Sequence, residues 1–269
     1  MADAAGARAD RATGDAGPAG LFTGVGVALV TLFRADGALD APATAEHASR
    51  LVEEGVQGIV VAGSTGEAAT LDVEERSTLL AAVLEAVDDR VPVIAGTGAA
   101  SARQATELSR RAADGGAAAL LVLSPPGASD PRPYYDQVTA AVDVPVLAYH
   151  YPYASRPGIP VDVLSELPAV GVKDSAGDAA RLAIEVDEVP WVYTGSPALL
   201  LHGAAIGCRG AILALANLDP AGCIRSWNGD GRCQRELVNG HRPGGLAGIA
   251  GLKRTMHALY GTSPITRVG

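Results

Sequence analysis

A lysine, a tyrosine and a glycine-flanked pair of hydroxyls carry the chemistry open to this sequence. Lys173 follows Val170-Gly171-Val172 and so ends an apolar, β-branched run. Lysine is seldom fully buried without a partner or a task. Burial disfavours the ammonium and leaves a neutral amine, the species that attacks a ketone. The bland alternative is a lysine that pairs with Asp174 or snorkels to a rim. Tyr149 ends a second apolar run. A phenol there could pass protons to and from a carbinolamine; the alternative is an aromatic that merely caps a barrel. A third run leads into Gly63-Ser64-Thr65-Gly66-Glu67. Such a turn offers backbone N–H groups and two hydroxyls, a nest suited to a carboxylate, or else is an ordinary strand-to-helix turn. Amine, proton relay and carboxylate nest together suit Schiff-base chemistry on a small 2-oxo acid.

These groups need elements that bring distant strand ends together. Eight apolar runs recur: Val25–Leu32, Gly58–Ala62, Val91–Ala95, Ala118–Leu123, Val144–Tyr149, Val170–Lys173, Trp191–Thr194 and Gly210–Ala214. They are continuous rather than alternating, so both faces of each strand are buried. Helix signals lie between them. Asp72-Val73-Glu74-Glu75 reads as a capping box, and Ser101-Ala102-Arg103-Gln104 repeats the pattern. Leu79, Leu80, Val83, Leu84 and Val87 follow at helical spacing, as do Ala105, Leu108 and Ala112. Gly115-Gly116 stops that helix, and Pro160 and Pro197 stand where first-turn prolines belong. Alternating strands and helices imply a parallel sheet. An open doubly wound sheet fits the pattern, but eight units point to closure as a (β/α)8 TIM barrel. Catalytic groups of such barrels lie at the C-terminal ends of strands, where Ser64, Tyr149, His150, Lys173, Gly195 and Asn217 fall. The expected organisation is a disordered leader over 1–20, a barrel over 21–218 and a C-terminal helical extension over 219–269. In that extension Leu246, Ile249, Leu252, Met256 and Leu259 are spaced to pack on the barrel, and Asn228–Gly245 reads poorly as helix.

Composition narrows the classes. The chain has 269 residues, 48% of them hydrophobic, which supplies one large core. A net charge of −9 with no basic run gives no help in binding nucleic acid or an anionic membrane. An anionic substrate would need a local pocket of cations or N–H groups. Cys208, Cys223 and Cys233 are widely spaced, so neither a disulfide framework nor a zinc site is indicated and a cytoplasmic setting is expected. Residues 1–20 lack the apolar stretch of a signal peptide. Gly24-Val25-Gly26 lacks the rest of a dinucleotide fingerprint, and there is no phosphate-loop motif. His47, His150, His202, His241 and His257 are scattered away from metal-ligand spacing.

Gly63-Ser64-Thr65-Gly66-Glu67, Tyr149 ahead of a proline, and Gly171-Val172-Lys173-Asp174-Ser175-Ala176-Gly177-Asp178 occur in register on the expected strands. In this the chain resembles the dihydrodipicolinate synthase / N-acetylneuraminate lyase family, from about Gly24 to Tyr260. The resemblance implies that Lys173 forms a Schiff base with pyruvate or a substrate that yields it, and that Tyr149 handles protons. It implies that Gly63, Ser64 and Thr65 hold the carboxylate, and that Gly195 and Ile212 line the substrate site. It implies small-molecule 2-oxo acid and aldehyde substrates, no metal or organic cofactor, and a homo-oligomer, tetramer or dimer.

The sequence departs from the synthase pattern at two places. The family's Thr-Pro-Tyr-Tyr segment reads Ser124-Pro125-Pro126-Gly127, with Tyr134-Tyr135 later, at the start of a helix. The arginine that follows Tyr-x-x-Pro is displaced, with Arg156 lying further along. The Lys-Asp-Ser-x-Gly-Asp run and Gly248-Ile249-Ala250-Gly251-Leu252-Lys253 resemble instead the branch of 4-hydroxy-2-oxoglutarate and 2-keto-3-deoxy sugar acid aldolases. The other readings are the synthase itself, a hydratase-aldolase, or a barrel that binds 2-oxo acids without turnover. Tyr151, Ser155, His150 and Arg156 are the candidate readers of the aldehyde. The segment between Asn217 and Gly248 is short against the family's by roughly two helical turns, about 10 Å of helix.

Overall fold

The computed structural model describes residues 20–240 and 248–268. Eight parallel strands close into one barrel in sequence order: β1 Gly24–Ala28, β2 Ile59–Val61, β3 Val93–Gly96, β4 Ala119–Leu123, β5 Val146–His150, β6 Gly171–Asp174, β7 Trp191–Thr194 and β8 Gly210–Leu213. β1 closes on β8 with Gly26 opposite Ile212. Nearly every strand residue is buried, as continuous apolar runs require. β7 has the limits expected from its run. β1 stops earlier, and Leu29–Leu32 continue as buried loop beneath the mouth.

The helices follow their local signals. They are α1 Ala41–Glu53, α2 Val73–Val87, α3 Ala102–Asp114, α4 Arg132–Thr139, α5 Ala179–Glu188, α6 Leu200–Ile206, α7 Pro220–Trp227, α8 Gly231–Gly240 and α9 Gly248–Tyr260. Asp72 and Glu75 form the complete capping box of α2. The Ser101 hydroxyl accepts from the Gln104 N–H at the start of α3. Leu79, Leu80, Val83 and Val87 face the core from α2. Between β5 and β6 the chain forms only a 3₁₀ turn, Val161–Glu166, entered from Pro160. Pro197 likewise opens a 3₁₀ turn that precedes α6.

Two layers of core result. Inside the barrel, Ala28, Val60, Ile94, Leu121, Leu147, Tyr149, Tyr193 and Ile212 pack together over Phe22. Outside it, strand residues of opposite parity meet the helices. Phe22 plugs the bottom, where its carbonyl accepts from the Tyr193 hydroxyl.

The region after β8 differs from expectation. Gly231–Gly240 is helical although its Gly- and Arg-rich composition argues otherwise. An Asp230 carboxylate accepting from the Cys233 N–H starts it, and Cys233, Gln234 and Leu237 are buried on one side. Leu252 and Met256 of α9 are buried as expected, but Leu259 is exposed. Of the leader expected over 1–20, residues 1–19 lie outside the described residues, as does Leu246.

Candidate active site

The C-terminal mouth of the barrel holds a cavity of about 330 Å³ lined by Ser64, Thr65, Tyr149, Tyr151, Lys173, Ser175, Gly195 and Ile212, with Ala28, Ala214, Gly248, Ile249 and Leu252. Lys173 is its floor. The register sets Lys173 beside Tyr149 on β5 and Tyr193 on β7, all pointing inward. The lysine is 4% exposed, and burial depresses its amine to about 7. Among the described residues no carboxylate pairs with it. Asp174, the partner of the bland reading, points outward because adjacent strand residues alternate. Its carboxylate accepts from Arg181 Nε at 3.0 Å and from the Ala176 N–H at 2.8 Å. The lysine's close neighbour is instead the ring of Tyr149, with Nζ 4.3 Å from its centroid.

The Tyr149 hydroxyl accepts from Ser175 Oγ at 3.4 Å and also bonds the Ser64 side chain. Burial raises its pKa, with the two hydroxyl contacts opposing. It therefore stands as a neutral phenol between the amine and the Ser64 turn. Ser175 completes this trio. It lies two residues beyond Lys173, so the pleat returns it to the mouth; that spacing could have singled it out in the sequence.

The Ser64 turn is conformationally constrained. Ala62 before it has φ +50° and Glu67 after it φ +54°, left-handed values that cost non-glycine residues energy and mark functional turns. Among the described residues the Ser64 and Thr65 N–H groups have no protein acceptor. Both residues line the cavity. Gly63 sits behind the turn, where its carbonyl accepts from the Ala68 N–H at 3.2 Å.

Glu67 locks the turn from below. Its buried carboxylate accepts from Lys253 Nζ of α9 at 2.5 Å and from the Arg267 and Val268 N–H groups at 2.7 and 3.0 Å. Lys253 also donates to the Ile265 carbonyl, and Arg267 chelates Glu75 at 2.6 and 2.7 Å. The C-terminal segment is thereby fastened to the Ser64 turn, and α9 brings Gly248, Ile249 and Leu252 to the cavity wall. Sequence reasoning placed α9 against the barrel but not at the mouth.

Gly195 ends β7 in contact with the cavity. A Cβ there would lie 2.0 Å from Ser175 Oγ, so only glycine leaves that hydroxyl its place. Ile212 lines the cavity from β8. Three candidate readers lie elsewhere. His150 is outside the cavity lining. Its side chain is buried beneath Gly158, and Nδ1 accepts from the Ile159 N–H at 2.9 Å. Burial first, then the Arg181 charge, lowers its pKa, so the ring is neutral and serves as a brace. Arg156 is exposed and away from the lining; its carbonyl accepts from the Gly127 N–H. Ser155 is buried too, donating to the Ser124 carbonyl at 2.6 Å. Of those four, Tyr151 alone lines the cavity. Tyr134 and Tyr135 do not reach it; their hydroxyls donate to Ala99 and Val122 carbonyls.

Comparison with known proteins adds the following. The model of the dihydrodipicolinate synthetase family matches residues 21–226. A DapA-like lyase of Halobacterium salinarum, itself uncharacterized, is 39% identical, the match covering 78% of this chain and 72% of that one. A 4-hydroxy-tetrahydrodipicolinate synthase of Corynebacterium aurimucosum is 38% identical, covering 74% and 69%. Among solved structures, the prophage protein YagE of Escherichia coli K12, in complex with pyruvate, superposes with a TM-score of 0.82 at 26% identity over 91% of each chain.

Proposed function

The chain belongs to the dihydrodipicolinate synthetase family, and on that premise we propose that it is a class I, Schiff-base lyase that makes or breaks a C–C bond to pyruvate. The observation that carries this reading is the buried, unpaired amine of Lys173 on the cavity floor, depressed to about 7. At neutral pH a large share of it is the free base that nucleophilic attack requires.

The steps follow from the positions of the groups. The carboxylate of pyruvate lies on the Ser64 and Thr65 N–H groups and hydroxyls. Lys173 Nζ attacks the ketone carbon, the carbonyl π pair goes to oxygen, and a proton delivered by Tyr149 gives the carbinolamine. The proton that the nitrogen then releases returns to Tyr149, which passes it to the hydroxyl, so that water leaves and the iminium remains. Removal of a methyl proton then pushes the C–H pair into the iminium and gives an enamine. The enamine carbon adds to an aldehyde carbon, whose oxygen takes a proton, and the iminium re-forms. Water hydrolyses it and frees the lysine. The cleavage reaction runs these steps backwards. Ser64 and Ser175 fix the Tyr149 hydroxyl and can exchange its proton with the substrate.

The reaction type is that of the aldolases for 4-hydroxy-2-oxoglutarate and 2-keto-3-deoxy sugar acids rather than that of the synthase. Ser124-Pro125-Pro126-Gly127 supplies no second tyrosine, and Arg156 is exposed and does not line the cavity. The test is reduction with borohydride in the presence of pyruvate, followed by intact-mass measurement and peptide mapping. A reduced pyruvyl adduct on Lys173 is the expected result. An adduct on another lysine, or none in the folded protein, overturns the mechanism; binding of pyruvate without an adduct would make the chain a 2-oxo acid binder.

A further inference from the structure

Behind the lysine strand lies a buried charge cluster that the Schiff-base steps do not use. Asp174 follows Lys173 on β6 and points the other way, out of the barrel and towards α5. There it meets Arg181 and Glu185, one helical turn apart. The Arg181 Nε–H is shared between Asp174 Oδ2 at 3.0 Å and Glu185 Oε1 at 2.7 Å. Asp174 and Glu185 are both buried. Two buried carboxylates with one guanidinium cannot both be ionised without leaving a bare charge. Burial first, then the Asp174 charge, raises Glu185 to about 8. At neutral pH Glu185 therefore keeps its proton, and the guanidinium charge is left to Asp174. Glu185 then serves as an uncharged acceptor that holds Arg181 in place.

Asp174 carries this hold through the strand end to the cavity. Its other oxygen, Oδ1, accepts from the Ala176 N–H at 2.8 Å, and its carbonyl accepts from the Gly195 N–H. Ser175 is the residue enclosed between these bonds, and its own N–H donates to the His150 carbonyl at 2.9 Å. Ser175 Oγ in turn reaches the Tyr149 hydroxyl at 3.4 Å. That is the outer limit of a hydrogen bond, so a shift of a few tenths of an ångström in the turn decides how well it is made. An apolar filling would serve stability as well as such a cluster does. What the cluster adds is a fixed direction for the Ser175 turn.

Resting on the Schiff-base reading above, we infer that Arg181 and Glu185 are positioning residues: Glu185 holds Arg181 on Asp174, and Asp174 holds the turn that presents Ser175 to the Tyr149 hydroxyl. Neither touches substrate. Both act on proton transfer, and only through Ser175. The step they influence needs pyruvate alone. A methyl proton of the Lys173-bound iminium leaves to the relay, the C–H pair forms the enamine, and a deuteron from heavy water returns to the same carbon.

The test follows exchange of the pyruvate methyl hydrogens for deuterium by the full chain, alongside borohydride trapping in the same preparation. Glu185→Gln and Glu185→Leu fill the same buried space, but only glutamine keeps an uncharged carbonyl acceptor for Arg181. Glu185→Leu is expected to lower kcat for exchange roughly 5- to 20-fold, part of what a placed proton relay supplies, with KM for pyruvate little changed. Glu185→Gln should restore most of that loss. In a Ser175→Ala background, which removes the group acted upon, the two Glu185 variants should exchange alike. Leucine in place of a buried carboxyl should leave the fold intact, and a melting curve checks this; an unfolded Glu185→Leu would make the residue structural and overturn the inference. Equal rates for the two variants with Ser175 present, a difference that persists without it, a loss confined to KM, or a parent that traps pyruvate without exchanging it also overturns the inference, while an adduct on Lys173 keeps the Schiff-base reading. Absence of the adduct overturns both.

Discussion

Two buried lysines sit at the same end of this barrel and face opposite electrostatic conditions. Lys173 is 4% exposed, lies against the Tyr149 ring and has no carboxylate partner among the described residues. Lys253 is fully buried and bonds the Glu67 carboxylate at 2.5 Å and the Ile265 carbonyl at 2.8 Å. Burial lowers both amines, but for Lys253 the Glu67 hydrogen bond and charge oppose the shift, while for Lys173 burial acts alone. The same side chain is thereby left an unpaired, depressed amine in one place and made a strut in the other. The two are linked, because Glu67 ends the turn whose Ser64 and Thr65 line the cavity. The pair fixes the Ser64 turn, which in the proposed mechanism holds a carboxylate and aims the ketone at the unpaired amine.

Removing each amine should separate the two roles. Lys173→Met is expected to lower kcat/KM by a factor on the order of 10⁴ to 10⁶, since no other group can form the imine. Its thermal stability should equal or exceed that of the parent, because an apolar side chain replaces an uncompensated buried amine. Steady-state kinetics and a melting curve on one preparation check both halves; a marked loss of stability would mean that Lys173 has a structural partner. Lys253→Met should do the reverse. It strands the Glu67 carboxylate without its cation and should cost about 3–5 kcal/mol of stability, read by denaturant unfolding. Adding Glu67→Gln removes the stranded charge but keeps an oxygen for the Arg267 and Val268 N–H groups, so the double variant should recover much of that loss. If the single and double variants unfold alike, the pair is not the source of the effect.

The contrast also marks what could be read in the sequence. Lys173 was legible because it terminates a β-branched run, and a strand pattern is a property of neighbouring residues. The same holds for Tyr149, the Asp72–Glu75 capping box and the limits of β7. Lys253 and Glu67 are 186 residues apart, and nothing local marks either as the other's partner. Ile249 and Leu252 read as helix-face residues of α9, but their place on the cavity wall depends on how the C-terminal segment crosses the barrel. His150 was ambiguous because its strand neighbours fix its side of the sheet but not what covers it, which is the Gly158 loop. The α8 helix escaped because its composition is poor in helix formers, and burial of Cys233, Gln234 and Leu237 outweighs that propensity.

Tyr149 probes the surroundings of the unpaired lysine. Tyr149→Phe keeps the ring against Lys173 and removes only the hydroxyl shared with Ser64 and Ser175. It should slow turnover roughly 10²- to 10⁴-fold while leaving the borohydride-trapped adduct obtainable on longer incubation. A variant that turns over at the parent rate would move the proton relay to another group.

The smallest effect is the most specific to the unpaired amine, and pH reveals it. With Lys173 depressed to about 7, the rate of adduct formation with pyruvate should fall about tenfold per pH unit below that value, as the nucleophile is protonated, and level off above it. Stability should carry the same signature. A lysine that titrates lower in the folded than in the unfolded chain leaves the unfolded state holding more protons between the two values. Stability then rises with pH across that interval and is flat below it. The parent should therefore gain on Lys173→Met as pH increases from about 7 towards the ordinary lysine range, and the two should stay a constant distance apart at lower pH. Matched denaturant unfolding of the two proteins at several pH values measures the difference directly. A difference that does not change with pH above neutrality would show that the Lys173 amine is not depressed, and the distinction between nucleophile and strut would then have to rest on geometry alone.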